Sequence, residues 1–98
     1  MRFRFASKKL EMLYTEEKDA HKYPGVVDAF FEVMAVIDAA EDERDLYALK
    51  SLRYEKLSGE RKGQRSLRLN KQYRLIGVLE EDEQGKCLVI HEIEDYHR

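Results

Sequence analysis

Ser66-Leu67-Arg68-Leu69-Asn70-Lys71-Gln72-Tyr73-Arg74-Leu75-Ile76 is the stretch on which the fold turns. Its first half alternates polar and apolar side chains, the period-two pattern of a strand with one buried face. A polar turn follows, and residues 73–79 read as a second strand. Residues 80–85 form an acidic turn, and residues 86–96 read as a third strand. Three consecutive strands with short connections make an antiparallel meander. Residues 52–57 are expected to add a strand ahead of it, with Gly59 and Gly63 bracketing a polar loop.

Upstream the period changes. Arg2 and Arg4 alternate with Phe3 and Phe5 as in a short half-buried strand. Ser7 is placed to cap a helix whose Leu10, Leu13 and Tyr14 form one apolar stripe, expected to end within residues 19–22. A second helix is expected from Pro24 or Gly25 to about Glu41. Val26, Phe30, Val33 and Ile37 make one of its rows, Val27, Phe31 and Met34 another, and Asp28, Glu32 and Asp38 face water. Leu46, Leu49 and Leu52 suit a short third helix. The expected fold is therefore α+β, a small antiparallel sheet with N-terminal helices packed on one face, in a single domain over residues 1–98.

With 43% apolar and 39% charged residues, the 98-residue chain has enough to build one core, which argues against disorder. No stretch approaches the roughly 20 apolar residues that span a bilayer, and the start lacks a secretory apolar run, so no membrane role and a cytoplasmic location are expected. The lone Cys87 has no internal disulfide partner and reads as a buried strand thiol.

A net charge of -2 conceals an asymmetry. Residues 50–74 hold nine Lys or Arg against two acids, and the rest of the chain is correspondingly acidic. A local basic surface of this kind suits a polyphosphate partner. Arg53, Lys56, Arg61, Lys62, Arg65, Arg68 and Lys71 are its candidate RNA contacts.

Two groups in this region carry chemistry. A three-residue loop that sets Asn70 opposite Arg74 puts Arg68, Asn70 and Arg74 on one sheet face, whereas a two-residue loop sets Arg74 beside Leu69; the first is favoured, because the second asks an arginine to join an apolar row. In the first case the guanidinium forks match phosphate oxygens, and in either case the arginines also suit an ordinary solvated face. At the chain end Asp95 and His97 point to one side of a regular strand and Tyr96 to the other. A carboxylate beside an imidazole suits acid or base work near neutral pH, and a tyrosine ring suits base stacking. Gly59-Glu-Arg-Lys-Gly63 lacks the spacing of a phosphate loop, His21, His91 and His97 lack metal-ligand spacing, and no Gly-x-Ser-x-Gly is present. No cofactor is expected.

Taken in order, Leu57-Ser-Gly-Glu-Arg-Lys-Gly63, Ser66-Leu-Arg-Leu-Asn-Lys-Gln-Tyr-Arg-Leu75 and Asp95-Tyr-His97 resemble the HigB-like toxins of the RelE/ParE superfamily. The likeness covers residues 49–97. It implies a compact α+β toxin neutralised by a helix-turn-helix, HigA-like antitoxin. It also implies entry into the 30S A site of the ribosome and cleavage of mRNA without a metal, the 2′-hydroxyl attacking the adjacent phosphate. On that mapping Arg74 stabilises the phosphate, His97 is the leading acid or base, Asp95 orients it, Tyr96 stacks on the substrate, and Arg68 contacts phosphate. Some relatives carry a histidine and a lysine before the loop glycine, where this chain has Glu55 and Ser58, which makes Glu55 an alternative base. The superfamily also includes non-catalytic toxins that inhibit a protein target such as DNA gyrase, and that reading stands as the alternative.

Overall fold

The computed structural model describes residues 1–96. The chain runs through β1 (Arg2–Phe5), α1 (Lys8–Glu16), α2 (Val27–Ala39), α3 (Glu43–Ala48), β2 (Glu55–Lys56), β3 (Gln64–Arg68), β4 (Tyr73–Asp82) and β5 (Gly85–Asp95). Short 3-10 turns lie at Ala20–Lys22, Lys50–Leu52 and Gly59–Arg61. The strand order β1-β5-β4-β3-β2 makes one five-stranded sheet, and the α+β architecture is the one expected.

The meander β3-β4-β5 is antiparallel, and β2 extends it antiparallel to β3. β1 departs from an all-antiparallel sheet, because it lies parallel to β5, from Arg2 opposite Cys87 to Phe5 opposite Ile90. The reason is local. Ser7 ends the strand by accepting from the Leu10 amide at 3.3 Å, so the chain enters α1 at once and cannot turn back as a hairpin. The partner of β1 must then come from the far end of the chain.

Several boundaries differ from the sequence reading, β4 running on to Asp82 and α3 ending at Ala48 so that Leu49 and Leu52 lie outside it, and three others have a clear local cause. α1 stops at Glu16 because Glu17 adopts a left-handed backbone (φ 54°) and returns its amide to the Leu13 carbonyl. α2 begins at Val27, since Gly25 (φ 75°) turns the chain after Pro24 and holds the proline outside the helix. The strand expected over residues 52–57 shrinks to two residues, because Leu52 closes a 3-10 turn and Arg53 is left-handed.

The helices cover one sheet face. Leu10 and Leu13 of α1, Phe30, Met34 and Ile37 of α2 and Leu46 of α3 are buried in one cluster with Leu67, Leu75, Leu88 and Ile90 of the sheet. Tyr14 contacts Phe3, Phe5, Phe30 and Phe31, joining β1, α1 and α2 through one aromatic group. Asp28, Glu32 and Asp38 are exposed and Cys87 is buried, as their positions in the sequence imply.

An irregularity in β5 decides what meets Arg74. Ile76 faces Glu92 while Gly77 faces Ile90, so His91 is an extra residue between them. Each extra residue swaps the faces of everything beyond it. The bulge therefore turns Glu94, and with it Tyr96, toward the Arg74 side and turns Asp95 away. Gly77 is required at this point, since a Cβ there would stand 2.9 Å from the Val89 carbonyl oxygen.

Candidate functional site

Arg68 and Arg74 are direct partners across β3 and β4, so they share the face opposite the helices. The shared face is the one expected, but the register differs by two residues from a three-residue loop. The amides of Leu69 and Asn70 both donate to the Tyr73 carbonyl, at 3.0 and 3.2 Å, which draws two residues of one side against one of the other. Asn70 organises this loop. Its Oδ1 accepts from the amides of Gln72 and Tyr73, each at 2.8 Å, and its Nδ2 donates to the Gly25 carbonyl at 3.3 Å. Asn70 was legible as a turn former, yet its part in holding the loop needed the partners.

Around this loop opens a cavity of about 250 Å³ lined by Arg53, Arg68, Asn70, Lys71, Arg74 and Tyr96. Four of the six are cations, drawn from the end of a 3-10 turn, the end of β3, the loop and the start of β4. Among the described residues none of the four has a carboxylate within salt-bridge distance. Such a cluster repels itself and has the charge to suit a polyanion.

Arg74 is its buried centre. Its Nη2 donates to the Arg53 carbonyl at 2.6 Å, and its guanidinium carbon lies 5.5 Å from the centre of the Tyr96 ring. Its Nε is buried without a hydrogen-bond partner among the described residues. Arg68 donates from Nε to the Asn70 carbonyl at 3.3 Å, which holds its stem along the loop. Tyr96 is fixed through its own amide, which donates to the Gln72 carbonyl at 2.6 Å.

The remaining basic residues divide. Lys56 and Lys62 are exposed. Arg61 is tied to Glu94, Nη2 to Oε1 at 3.1 Å. Arg65 is a correction, because it lies on the helix face, buried, with Nε 3.1 Å from Glu43 Oε2. That places it away from the cavity and removes it from the candidate RNA contacts. Charge counting alone could not see Glu43, 22 residues upstream.

Glu43 also accepts from the Tyr54 hydroxyl at 2.6 Å and lies 3.8 Å from Lys86 Nζ. Burial pushes its carboxyl up, but the hydrogen bonds from Tyr54 and Arg65, with the charges of Arg65 and Lys86, outweigh this and hold it below the ordinary range. The same burial and the same bond push the Tyr54 hydroxyl upward. This network is a strut under β3.

Of the terminal cluster, Tyr96 reaches the cavity and Asp95 does not line it. Asp95 Oδ2 accepts from Gln72 Nε2 at 3.2 Å. His97 lies outside the described residues. Glu55 is exposed and pairs with Ser66, on the Arg74 face but outside the cavity lining. Among the described residues no three His, Cys, Asp or Glu side chains group to hold a metal ion, and no helix is long and apolar enough to cross a membrane.

The chain is similar to several known proteins. A family model described as the RelE-like toxin of the type II toxin-antitoxin system HigB matches residues 3–97. Toxin HigB-1 of Vibrio cholerae serotype O1 (strain ATCC 39315 / El Tor Inaba N16961) is 40% identical over 77 residues, covering 78% of this chain and 81% of that protein. Among solved structures, a YoeB/ParE toxin from Agrobacterium tumefaciens superposes with a TM-score of 0.57 at 15% identity, over 99% of this chain and 100% of that one. YafQ from E. coli strain BL21(DE3) gives 0.54 at 14% identity, over 97% and 93%. At these identities the two structures speak to the shared fold.

Proposed function

The chain belongs to the RelE-like HigB toxins of type II toxin-antitoxin systems, with an antitoxin as its partner, and we propose that it acts as a ribosome-dependent, metal-independent mRNA endoribonuclease. The observation that carries this reading is Arg74, a buried cation with no carboxylate partner among the described residues and an unused Nε, at the centre of a cavity with three other cations. A preorganised guanidinium in a partly desolvated site stabilises charge developing on a phosphoryl group, because no solvent has to reorganise as the charge appears.

In the proposed reaction a base takes the proton of an mRNA 2′-hydroxyl, and the 2′-oxygen bonds to the adjacent phosphorus. The bond from phosphorus to the 5′-oxygen breaks, and that oxygen takes a proton, leaving a 2′,3′-cyclic phosphate and a free 5′-hydroxyl. Arg74 holds the equatorial oxygens, Arg68 the flanking phosphate, and Arg53 and Lys71 the chain on either side. Lys56 and Lys62 extend the cationic path toward the edge of the sheet. Arg74 occupies one face of the Tyr96 ring, so a base stacks on the other. Family resemblance assigns the proton transfers to His97 with Asp95, and Glu55 is the alternative base.

The setting is the cytoplasm, with the mRNA presented in the 30S A site and a HigA-like helix-turn-helix antitoxin as the neutralising partner. Arg74→Ala and His97→Ala, expressed singly, should each relieve growth inhibition while the antitoxin still binds. Primer extension on translated mRNA should lose its new 5′ ends in both. Full toxicity in both variants would sink the assignment. DNA breaks with intact mRNA after induction of the unmodified toxin would instead place it with the inhibitors of a protein target.

A further inference from the structure

Arg74 faces Glu94 directly across β4 and β5. Such cross-strand partners have Cβ atoms about 5 Å apart, well within reach of a salt bridge between two long side chains. A buried guanidinium beside a carboxylate would ordinarily take it. Here it does not, and among the described residues the partner of Glu94 is Arg61.

The grip of Arg61 is complete. Its Nη2 lies 3.1 Å from Oε1 of Glu94, its Nη1 donates to Oε2 at 3.2 Å, and its Nε donates to Oε1 of Gln64 at 2.9 Å. Both carboxylate oxygens and all three guanidinium nitrogens are thus engaged, in the forked geometry that makes such pairs specific. Arg61 comes from the Gly59–Arg61 turn between β2 and β3, so it reaches across β4 to bind a residue of β5. An arginine spent in this way has little left to offer a phosphate.

We propose that Arg61 is a positioning residue that withholds Glu94 from Arg74, so that the central cation of the cavity stays free for a phosphate group. The contact stands on its own geometry, and its consequence for cleavage rests on the endoribonuclease reading. Without Arg61, Glu94 turns to its cross-strand partner and competes with the substrate for it. Arg61 thereby raises the anion affinity of the site without touching the anion.

A double-mutant cycle tests this, with two readouts on the full chain. One is cleavage of translated mRNA. The other is the affinity of the free protein for pyrophosphate, followed by the Nε–H resonance of Arg74. Arg61→Ala should lower both by about tenfold, whereas in a Glu94→Gln background the same substitution should change either by less than about twofold. Arg61→Lys, which keeps a charge opposite Glu94 but loses the fork, should fall between the unmodified chain and the alanine variant. An equal loss in both backgrounds would mean that Arg61 touches phosphate itself and would overturn the proposal. So would an Arg61→Ala variant that binds pyrophosphate normally, or a lysine variant as impaired as the alanine. If the cycle holds for pyrophosphate while the unmodified toxin cuts no mRNA, the endoribonuclease reading fails and the role of Arg61 stands.

Discussion

Arg65 and Arg74 are almost equally buried, 8% and 9% exposed, on adjacent strands of one sheet, and they are used in opposite ways. Arg65 points to the helices and finds Glu43, with the Gly63 carbonyl as a second acceptor at 3.1 Å. Arg74 points to the open face and finds a main-chain carbonyl and an aromatic ring, with its Nε left over. Burying a charge without a countercharge is costly, so folding alone would not select the second arrangement. The difference separates an arginine that holds the scaffold from one whose charge has no carboxylate partner among the described residues.

Exchanging the losses is the most forceful way to break this comparison. Arg74→Ala should lower mRNA cleavage on the order of 10²–10³-fold, as removal of a preorganised charge donor does. Its stability should change by less than about 1 kcal/mol, because the substitution also removes an unsatisfied buried donor. Arg65→Ala should do the reverse. It strips Glu43 of its nearest cation and should cost about 3 kcal/mol in urea unfolding, while the folded fraction cleaves at the normal rate. A folded, stable Arg65→Ala protein without activity would erase the distinction.

Acid should separate the two arginines as well. The Glu43 carboxyl is depressed in the folded chain, so its network contributes stability that is fully present above the unfolded carboxylate value of about 4.3. That contribution is lost as pH falls through the lower folded value. Glu43→Gln should therefore be less stable than the unmodified chain at pH 7, by about 1–2 kcal/mol for the weakened hydrogen bonds from Tyr54 and Arg65. The gap should begin to close as pH falls below the unfolded value of about 4.3 and go on closing through the lower folded one. A gap that persists unchanged to pH 3 would show that ionised Glu43 is not what supports Arg65.

Much of this was legible in the sequence, and the limits fall where contacts are long-range. Strict alternation from Ser66 to Asn70 told which side Arg68 would take, and the apolar rows of α2 announced a helix packed on the sheet. The family likeness followed from Leu57-Ser-Gly, Gln-Tyr-Arg74 and the terminal triplet. Alternation could not reveal the extra His91 in β5, which exchanges Tyr96 for Asp95 on the Arg74 face. Nor does a basic residue announce its partner. Arg53, Arg61, Arg65 and Arg68 look alike in a list of charges, and only Glu43 and Glu94, far away in the chain, tell them apart.

Tyr96 sharpens the comparison at a smaller scale, since it replaces a countercharge with a ring. Tyr96→Ala should remove both the cation–π contact and the stacking surface and reduce RNA affinity about tenfold. Tyr96→Phe keeps the ring and should stay within about threefold by the same argument. Equal losses would assign the effect to the hydroxyl and not to the face that Arg74 covers.

The smallest effect concerns the carbonyl to which Arg74 is tied. Arg53 is left-handed, φ 46° and ψ 49°, a conformation that costs a residue with a Cβ about 1 kcal/mol and is usual for glycine at the end of a helical turn. Its flanking residues Leu52 and Tyr54 are buried, so the core fixes where its carbonyl points. Its side chain lines the cavity, which explains why an arginine stands at a position that backbone geometry would give to glycine. Arg53→Gly relieves the strain but frees the unfolded chain, so the net gain should be about 0.5 kcal/mol or less. The carbonyl remains and Arg74 keeps its anchor, while the salt dependence of RNA binding should weaken by about one unit of slope for the lost cation. Arg53→Val loses the same cation but resists the left-handed turn, and it should destabilise the chain and loosen Arg74 together. Glycine and valine variants with equal RNA affinity would mean that the main-chain anchor does not hold Arg74 in place, and the contrast with Arg65 would then rest on the missing carboxylate alone.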